Sequence, residues 1–328
     1  MKLGVIIPNW DGADLLAAAV TSLRQQSIPV TVIVVDNGSV DESVQIIERD
    51  FPDVVLLKNS ENLGFSGGVN TGLRYALKQD FDALGLFNND ATADTDWAKR
   101  LSEVLETDQG VGIVTGKLLR IDGNHLDSTG EQYSVWGVPF PRGRNQRDEG
   151  QFDDQTDIFG ATGGATFYRA TMLREIGLFD ERFFAYYEDG DISFRSRLAG
   201  WQVRYVPAAR AFHHISATSS KLGTFVRYHA IKNIVMLYLK NMPGWLFWKY
   251  LPLFSLWLLR LAVSSMLKGN GWVFARSMSQ IIVNFPGLLR DRRIIQRKRR
   301  VSPREIDRQL SHCLPPKEPV APKDMDRA

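Results

Sequence analysis

Several absences narrow the reading first. The 328-residue chain has one cysteine, Cys313, so it can form neither an intrachain disulfide nor a multi-thiolate metal site. It lacks a strong charge of either sign. Forty Lys and Arg against 37 Asp and Glu leave a formal net +3, which argues against a globally basic nucleic-acid coat. Neither G-x-G-x-x-G nor G-x-x-x-x-G-K-[ST] occurs, so dinucleotide and P-loop folds lose support. No internal repeat is present. The N-terminal apolar run, residues 3–7, is too short for a signal-peptide core and ends at Pro8. The one long apolar stretch, residues 242–285, is interrupted by Lys249 and Arg260 and broken by Pro243 and Pro252. A clean spanning helix needs about 20 mostly apolar residues, so amphipathic interfacial helices suit this stretch better.

What is present reads as a globular α/β chain, with 44% hydrophobic residues. Residues 3–7 and 30–35 are buried-strand runs, and 54–57 and 83–87 are further strands. Helical spacing follows each: Leu15, Leu16, Ala19, Val20 and Leu23, then 41–48, then 67–77. This β-α-β-α alternation predicts a mostly parallel, Rossmann-like sheet. Residues 117–156 are polar, Gly-rich and weakly periodic, and 137–150 reads as a flexible loop. Helices are predicted at 171–176 and 189–198, and a strand at 203–206.

Ligands of open α/β sheets bind beyond the carboxyl ends of the strands. Polar or Gly-rich clusters fall at four such ends: Pro8-Asn9-Trp10-Asp11, Asp36-Asn37-Gly38-Ser39, Asn62 to Asn70 with Gly64, Gly67 and Gly68, and Asn88-Asn89-Asp90. Asp36 can accept from a ribose or base, or cap the next helix. Asp90 can hold a divalent cation or serve as a turn residue. Further on, Glu188, Asp189 and Asp191 crowd behind an aromatic run, an arrangement that raises at least one pKa. The same acids could complement a helix dipole or pair with Arg195 and Arg197. His213 and His214 follow the last strand as candidate metal or phosphate contacts.

This ordered set resembles the glycosyltransferase family 2 enzymes of GT-A fold over residues 1–220. The motifs are Val5-Ile6-Ile7-Pro8-Asn9-Trp10, Val34-Val35-Asp36-Asn37-Gly38-Ser39, Asn62-Leu63-Gly64-Phe65 with Gly68-x-Asn70, Asn88-Asn89-Asp90, Phe179-Asp180-Glu181, Glu188-Asp189-x-Asp191 and His213-x-x-Ser216. The nearest subgroup looks rhamnosyltransferase-like. The resemblance implies that Pro8, Asn9, Asp36 and Asn89 line the nucleotide-sugar pocket, with Gly68 and Asn70 beside the nucleotide. It implies that Asp90 and His213 hold Mg²⁺ or Mn²⁺, although Asn88 stands where the family's metal motif has its first Asp. Asp189, with Glu188, would be the general base of an inverting transfer. The donor would be a dTDP- or UDP-sugar, and the acceptor a lipid-diphosphate-linked saccharide or a polysaccharide in cell-wall, O-antigen or exopolysaccharide assembly.

On this reading residues 1–225 form the catalytic domain, 226–311 a helical membrane-associating extension, and 312–328 a disordered tail. Residues 290–308 carry nine Lys and Arg and three acids, a net +6, leaving −3 on the rest of the chain. The Trp-rich helices and this segment predict a peripheral enzyme on the anionic cytoplasmic face of the plasma membrane. Nucleic acid is not expected, because the basic segment lacks interleaved aromatics. A nucleotidyltransferase is the rival enzyme, but residues 8–14 hold one glycine and no basic residue. A non-catalytic binding protein on the same fold is the other rival; the full set of Asp36, Asp90, Asp189 and His213 argues against it.

Overall fold

A computed structural model describes residues 1–214 and 223–314. Ser216 of the His-x-x-Ser motif and residues 315–328 of the expected tail lie outside the described residues.

The chain alternates through β1 (Leu3–Asn9), α1 (Ala13–Arg24), β2 (Thr31–Asn37), α2 (Ser43–Asp50), β3 (Val55–Asn59), α3 (Gly64–Ala76) and β4 (Ala83–Phe87). It continues with β5 (Ala91–Ala93), α4 (Trp97–Thr107), β6 (Val111–Arg120), β7 (Leu126–Ser128), β8 (Glu131–Tyr133) and β9 (Pro139–Pro141). Then come β10 (Ala165–Arg169), α5 (Ala170–Ile176), a 3₁₀ turn (Glu181–Phe183), α6 (Glu188–Leu198) and β11 (Gln202–His213). Among the described residues, α7 (Gly223–Asn241), α8 (Gly244–Leu267), α9 (Gly271–Lys298) and α10 (Pro303–Gln309) follow.

The main sheet runs β3-β2-β1-β4-β10-β6-β11-β5, with β7 on β6. It is mixed, which corrects the expectation of a mostly parallel sheet. β1, β2, β3 and β4 are parallel, and β11 is parallel to β6, but β10 lies antiparallel to both β4 and β6. The reason is the route into β10. Residues 121–164 contain no helix, so no crossover of the kind that makes neighbours parallel precedes it. The 137–150 segment is also better fixed than its composition suggests, because the Arg142 guanidinium is buried and donates to the Thr129 and Gln155 carbonyls.

Strict alternation sorts the strand residues. Val5, Ile7, Val32 and Val34 join the α1, α2 and α4 side, while Ile6, Ile33 and Val35 join the α3, α5 and α6 side. That is why both strands read as continuous apolar runs: each face is covered. A third cluster joins Tyr133, Phe159, Phe183 and Phe194 of the sheet domain to Ile234, Leu237, Tyr238, Leu246 and Trp257 of the helices. α7 is thus core, buried along most of its length.

Pro252 lies inside α8, which runs unbroken through residues expected to be interrupted. At 24 residues and mean hydropathy 1.5, α8 is long and apolar enough to cross a membrane by length and composition. Its outer side shows Trp248 (71% exposed), Leu259 and Leu267 (84%). Part of the +6 segment is spent on the protein itself. Arg292 donates to the Leu239 carbonyl, Lys298 to the Glu175 carbonyl, and Arg300 pairs with Glu175, while Arg290, Arg293 and Arg297 are exposed.

A buried charge network fixes the helices to the sheet domain. Lys240 of α7 lies 2.6 Å from Asp180 and 2.9 Å from Asp191. Asp191 also accepts from Arg195 and Asn241. Arg182 bridges Asp180 and Asp291 of α9. Arg195 therefore serves Asp191, and Arg197 serves Asp157. Burial would raise Asp180, but Arg182 and Lys240 hold it below the usual carboxylate range. Its contribution is present above the ordinary carboxylate pKa and is lost on acidification through the depressed value. Lys240→Met leaves buried carboxylates undercompensated, so it should cost about 3 kcal/mol. Urea unfolding at pH 7 reads this, and the deficit should shrink as pH falls.

Candidate active site

The carboxyl ends of the strands meet as expected. Register pairs Pro8 with Val35 and Asn9 with Asp36. The Asn89 amide donates to Asn9 Oδ1 (2.7 Å), and Asn9 Nδ2 donates to Ser39 Oγ (3.3 Å). Gly12 makes this possible, since a Cβ there would fall 2.1 Å from Asn89 Nδ2. Asp36 is buried; its Oδ2 accepts from the Ser39 amide (3.4 Å), and its Oδ1 has no partner among the described residues. A buried carboxylate oxygen without a donor is costly. It is therefore a place for an N–H or O–H of a ligand.

Gly68 and Asn70 lie on α3, directly behind this cluster, and make internal contacts. Gly68 packs on the Asn37 amide. Asn37 accepts from Asn59 and Leu63 and donates to Asn62 and the Gly64 carbonyl, which shapes the loop into α3. Asn70 donates to the Phe179 carbonyl and Glu181 and accepts from the Phe179 amide. It pins the turn that leads to α6.

Asp90 and His213 come together across β5 and β11, which pair antiparallel with His213 opposite Ala91. His213 Nε2 is 3.0 Å from Asp90 Oδ1 and 3.1 Å from Asn88 Nδ2. Its Nδ1 is 2.9 Å from Asp127, which in turn accepts from Arg144 (2.9 and 3.1 Å). Burial would lower the His213 pKa, but hydrogen bonds to Asp127 and Asp90 raise it to about 10. Burial likewise opposes ionisation of Asp127, and His213 and Arg144 overcome it, holding Asp127 at about 2. A carboxylate that fixes one imidazole nitrogen while the other faces a second carboxylate is the arrangement that supports metal ligation. Among the described residues no three His, Cys, Asp or Glu side chains gather to make a cage. Asp90 and His213 would therefore hold an ion together with ligand phosphate oxygens, as hard divalent cations prefer.

Asp189 lies at the start of α6. The Gly163 amide donates to its Oδ2 (3.1 Å) and the Gly190 amide to its Oδ1 (2.8 Å). The next residue, Gly164, accepts from the Asn88 amide (2.9 Å). Two consecutive glycines thus join the Asp189 carboxylate to the Asn88–Asp90 turn. Burial raises the Asp189 pKa against its backbone donors. Burial and the Asp189 charge push Glu188 up further, and burial, Asp189 and Glu188 do the same to Glu131. Asp189 is the member of this group whose two oxygens each accept from a backbone amide.

Four contributors escaped the sequence reading. Asp127, Glu131 and Arg144 come from the weakly periodic middle, where the β6–β7 pairing, the β8–β9 hairpin and the His125–Arg147 and Glu131–Gly160 bridges place them. Asn233 comes from α7. No short motif marks any of them.

The glycosyl transferase family 2 model matches residues 4–177. An N-acetylglucosaminyl-diphospho-decaprenol L-rhamnosyltransferase of Mycobacterium tuberculosis is 30% identical over 206 residues, covering 57% of this chain and 67% of that one. The O-antigen chain rhamnosyltransferase RfbN of Salmonella typhimurium is 25% identical over 274 residues, 75% of this chain and 84% of that one. Two solved structures share the fold. GalNAc-T7 with UDP, GalNAc and Mn²⁺ gives a TM-score of 0.62 at 15% identity, covering 88% of this chain and 57% of that one. The mannosyltransferase PcManGT of Pyrobaculum calidifontis, with GDP-Man and Mn²⁺, gives 0.56 at 18% identity, covering 87% and 75%.

If the Asp127 contact orients His213 for ligation, Asp127→Asn should weaken Mn²⁺ binding about 10- to 100-fold in the presence of UDP. Titration of the free-Mn²⁺ EPR signal measures it, and unchanged affinity would exclude that role.

Proposed function

The chain belongs to glycosyl transferase family 2, a glycosyltransferase moving a sugar from a nucleotide-sugar donor, and we propose that it transfers L-rhamnose or a similar hexose, with inversion, from a dTDP- or UDP-linked donor to a hydroxyl of a lipid-linked or polysaccharide acceptor. The observation that carries the mechanism is the Gly163–Gly164 junction, which ties one ionisable carboxylate, Asp189, to the turn bearing Asp90. The donor and acceptor classes draw support from the relatives, whose names specify rhamnosyl transfer, in one case to a diphospho-decaprenol-linked sugar.

The chemistry follows from what each group can do. An acceptor hydroxyl is a poor nucleophile, so a nearby base must take its proton during attack. Asp189 meets that need: its pKa is raised by burial, which strengthens it as a base, and two backbone amides fix its orientation. Burial and the neighbouring carboxylates raise Glu188 and Glu131 as well, which disfavours further negative charge at the site. Asp36, Asn9 and Asn89 receive the nucleoside at the ends of β1, β2 and β4. Asp90 and His213 would hold Mg²⁺ or Mn²⁺ against the donor's diphosphate, where the ion supplies electrostatic stabilisation of the departing nucleoside diphosphate. Arg144, part-exposed and paired with Asp127, adds positive charge between the two halves of the site.

The same reading places the enzyme on the cytoplasmic membrane surface. The support is the exposed apolar side of α8 and α9, with Trp248, Leu259, Leu267 and Trp272, and the exposed Arg290, Arg293 and Arg297 that follow. Trp at such a boundary and Lys or Arg toward anionic headgroups are the expected chemistry of an interfacial helix.

Asp189→Asn should lower sugar transfer about 1,000-fold with dTDP and UDP affinity retained; near-normal turnover would overturn the assignment of the base. Replacing Trp248, Leu259 and Leu267 together by Ser should strip the enzyme from phosphatidylserine vesicles in flotation. Equal flotation of parent and variant would overturn the membrane reading.

A further inference from the structure

The segment that delivers the base is held in a conformation it would not adopt alone. Phe184 (φ 66°), Tyr186 (φ 72°) and Tyr187 (φ 68°) all have left-handed backbone, three bulky residues within four positions. Such residues rarely occupy this region, and they persist only where their surroundings impose it. Tyr187 is followed at once by Glu188 and Asp189, so the direction in which α6 starts, and with it the Asp189 carboxylate, depends on this turn.

The surroundings that impose it come mainly from α7. Asn233, fully buried, points its amide nitrogen at three carbonyls of the turn, those of Phe183 (2.9 Å), Ala185 (2.8 Å) and Tyr186 (2.7 Å). One turn earlier on the same helix, His229 Nδ1 lies 3.1 Å from the Phe183 carbonyl. Lys232 donates to the Arg182 carbonyl (2.5 Å). On the opposite side, the Ser66 amide donates to the Phe184 carbonyl (3.0 Å). That carbonyl sits where a Cβ on Gly64 would be, 2.5 Å away. A turn whose carbonyls converge needs donors at the point of convergence. A side-chain amide is suited to that; a carboxylate in its place would face them with like partial charge.

We propose that Asn233 is a positioning residue: by gathering the carbonyls of the Phe183–Tyr186 turn, it sets the start of α6 and aims Asp189 at the acceptor hydroxyl. This rests on the reading of Asp189 as the base, and it assigns α7 a part in the reaction that no motif of the sheet domain supplies. Asn233 is fully buried and offers no surface to a donor or acceptor. Its effect is on the rate of the chemical step and not on donor binding.

The test compares full-length parent, Asn233→Ala and Asn233→Ser, the last keeping one shorter donor should the first fail to fold. Three quantities are measured: dTDP affinity by calorimetry, kcat for dTDP release from dTDP-rhamnose, and amide hydrogen exchange across the chain. For Asn233→Ala, kcat should fall about 100-fold, as a misplacement of about 1 Å costs, with dTDP Kd within about twofold. Exchange should quicken at residues 184–190 and stay unchanged in β1 and β4. Asn233→Ser should show the same split at smaller size. Unchanged exchange at 184–190, or quickened exchange with kcat retained, overturns the proposal. So does a loss of kcat matched by an equal loss of dTDP affinity, which marks a general structural role. Asp189→Asn, assayed beside them, reads the base assignment separately: if it keeps turnover, the base assignment fails, whatever the exchange at 184–190 says about the clamp.

Discussion

The reversal of β10 is the constraint on which the rest of the site depends. In the parallel run β3-β2-β1-β4, every strand presents its carboxyl end to the ligand edge and its amino end to the far side. β10 is antiparallel to its neighbours, so it is the amino end of β10 that reaches the ligand edge. That end is preceded by Gly163 and Gly164. Backbone amides and carbonyls are consequently available there, and one pair of them serves Asp189 and Asn88 together. Had β10 been parallel, these two glycines would sit at the opposite edge, and Asp189 would need another partner to hold it beside the Asn88–Asp90 turn.

Electrostatics is divided along the same lines. The carboxylates nearest the proposed chemistry, Glu131, Glu188 and Asp189, lie in low-dielectric surroundings without an intimate cation, and their pKa values rise. Those one layer further in, Asp180 and Asp191, are each matched to Lys or Arg, and their pKa values fall. Acids only a few residues apart in sequence thus do opposite work: Asp189 is kept reactive and Asp191 is kept ionised as a tie between α6 and α7. Burial is common to both; the difference is whether a cation reaches the carboxylate.

Much of the sheet domain was legible in the sequence because its signals are local. Continuous apolar runs located β1, β2 and β4, and polar clusters marked their ends. Asp36, Asn9 and Asn89 fell together because a strand's register carries its end residues with it. Where information is long-range, the reading thinned. Residues 117–156 read as weakly periodic because β7, β8 and β9 are three residues each, too short to show a period, and are tied to distant residues by isolated bridges such as Glu131–Gly160 and Ser134–Ser311. Asp127 and Arg144 sit in that stretch and could not be seen as neighbours of His213. Gly68 and Asn70 show a different limit: Gly68 backs onto the Asn37 amide and Asn70 holds the Phe179 turn, contacts between distant residues that no short motif announces. Pro252 shows a third. Proline as a helix breaker is a local rule, and in α8 the packing of Leu246, Phe254, Trp257 and Leu261 on the domain outweighs it.

The unpartnered Oδ1 of Asp36 has a consequence beyond affinity. An ionised oxygen can only accept, so it selects among ligands by refusal. A group offering an N–H or O–H there completes the bond. One offering a lone pair sets two acceptors face to face in a buried place, at a cost of about 1–3 kcal/mol. That is about one to two powers of ten in occupancy, decided by a single proton on the incoming ring or sugar. On the proposed reading, the end of β2 would therefore act as a polarity filter on the incoming nucleoside.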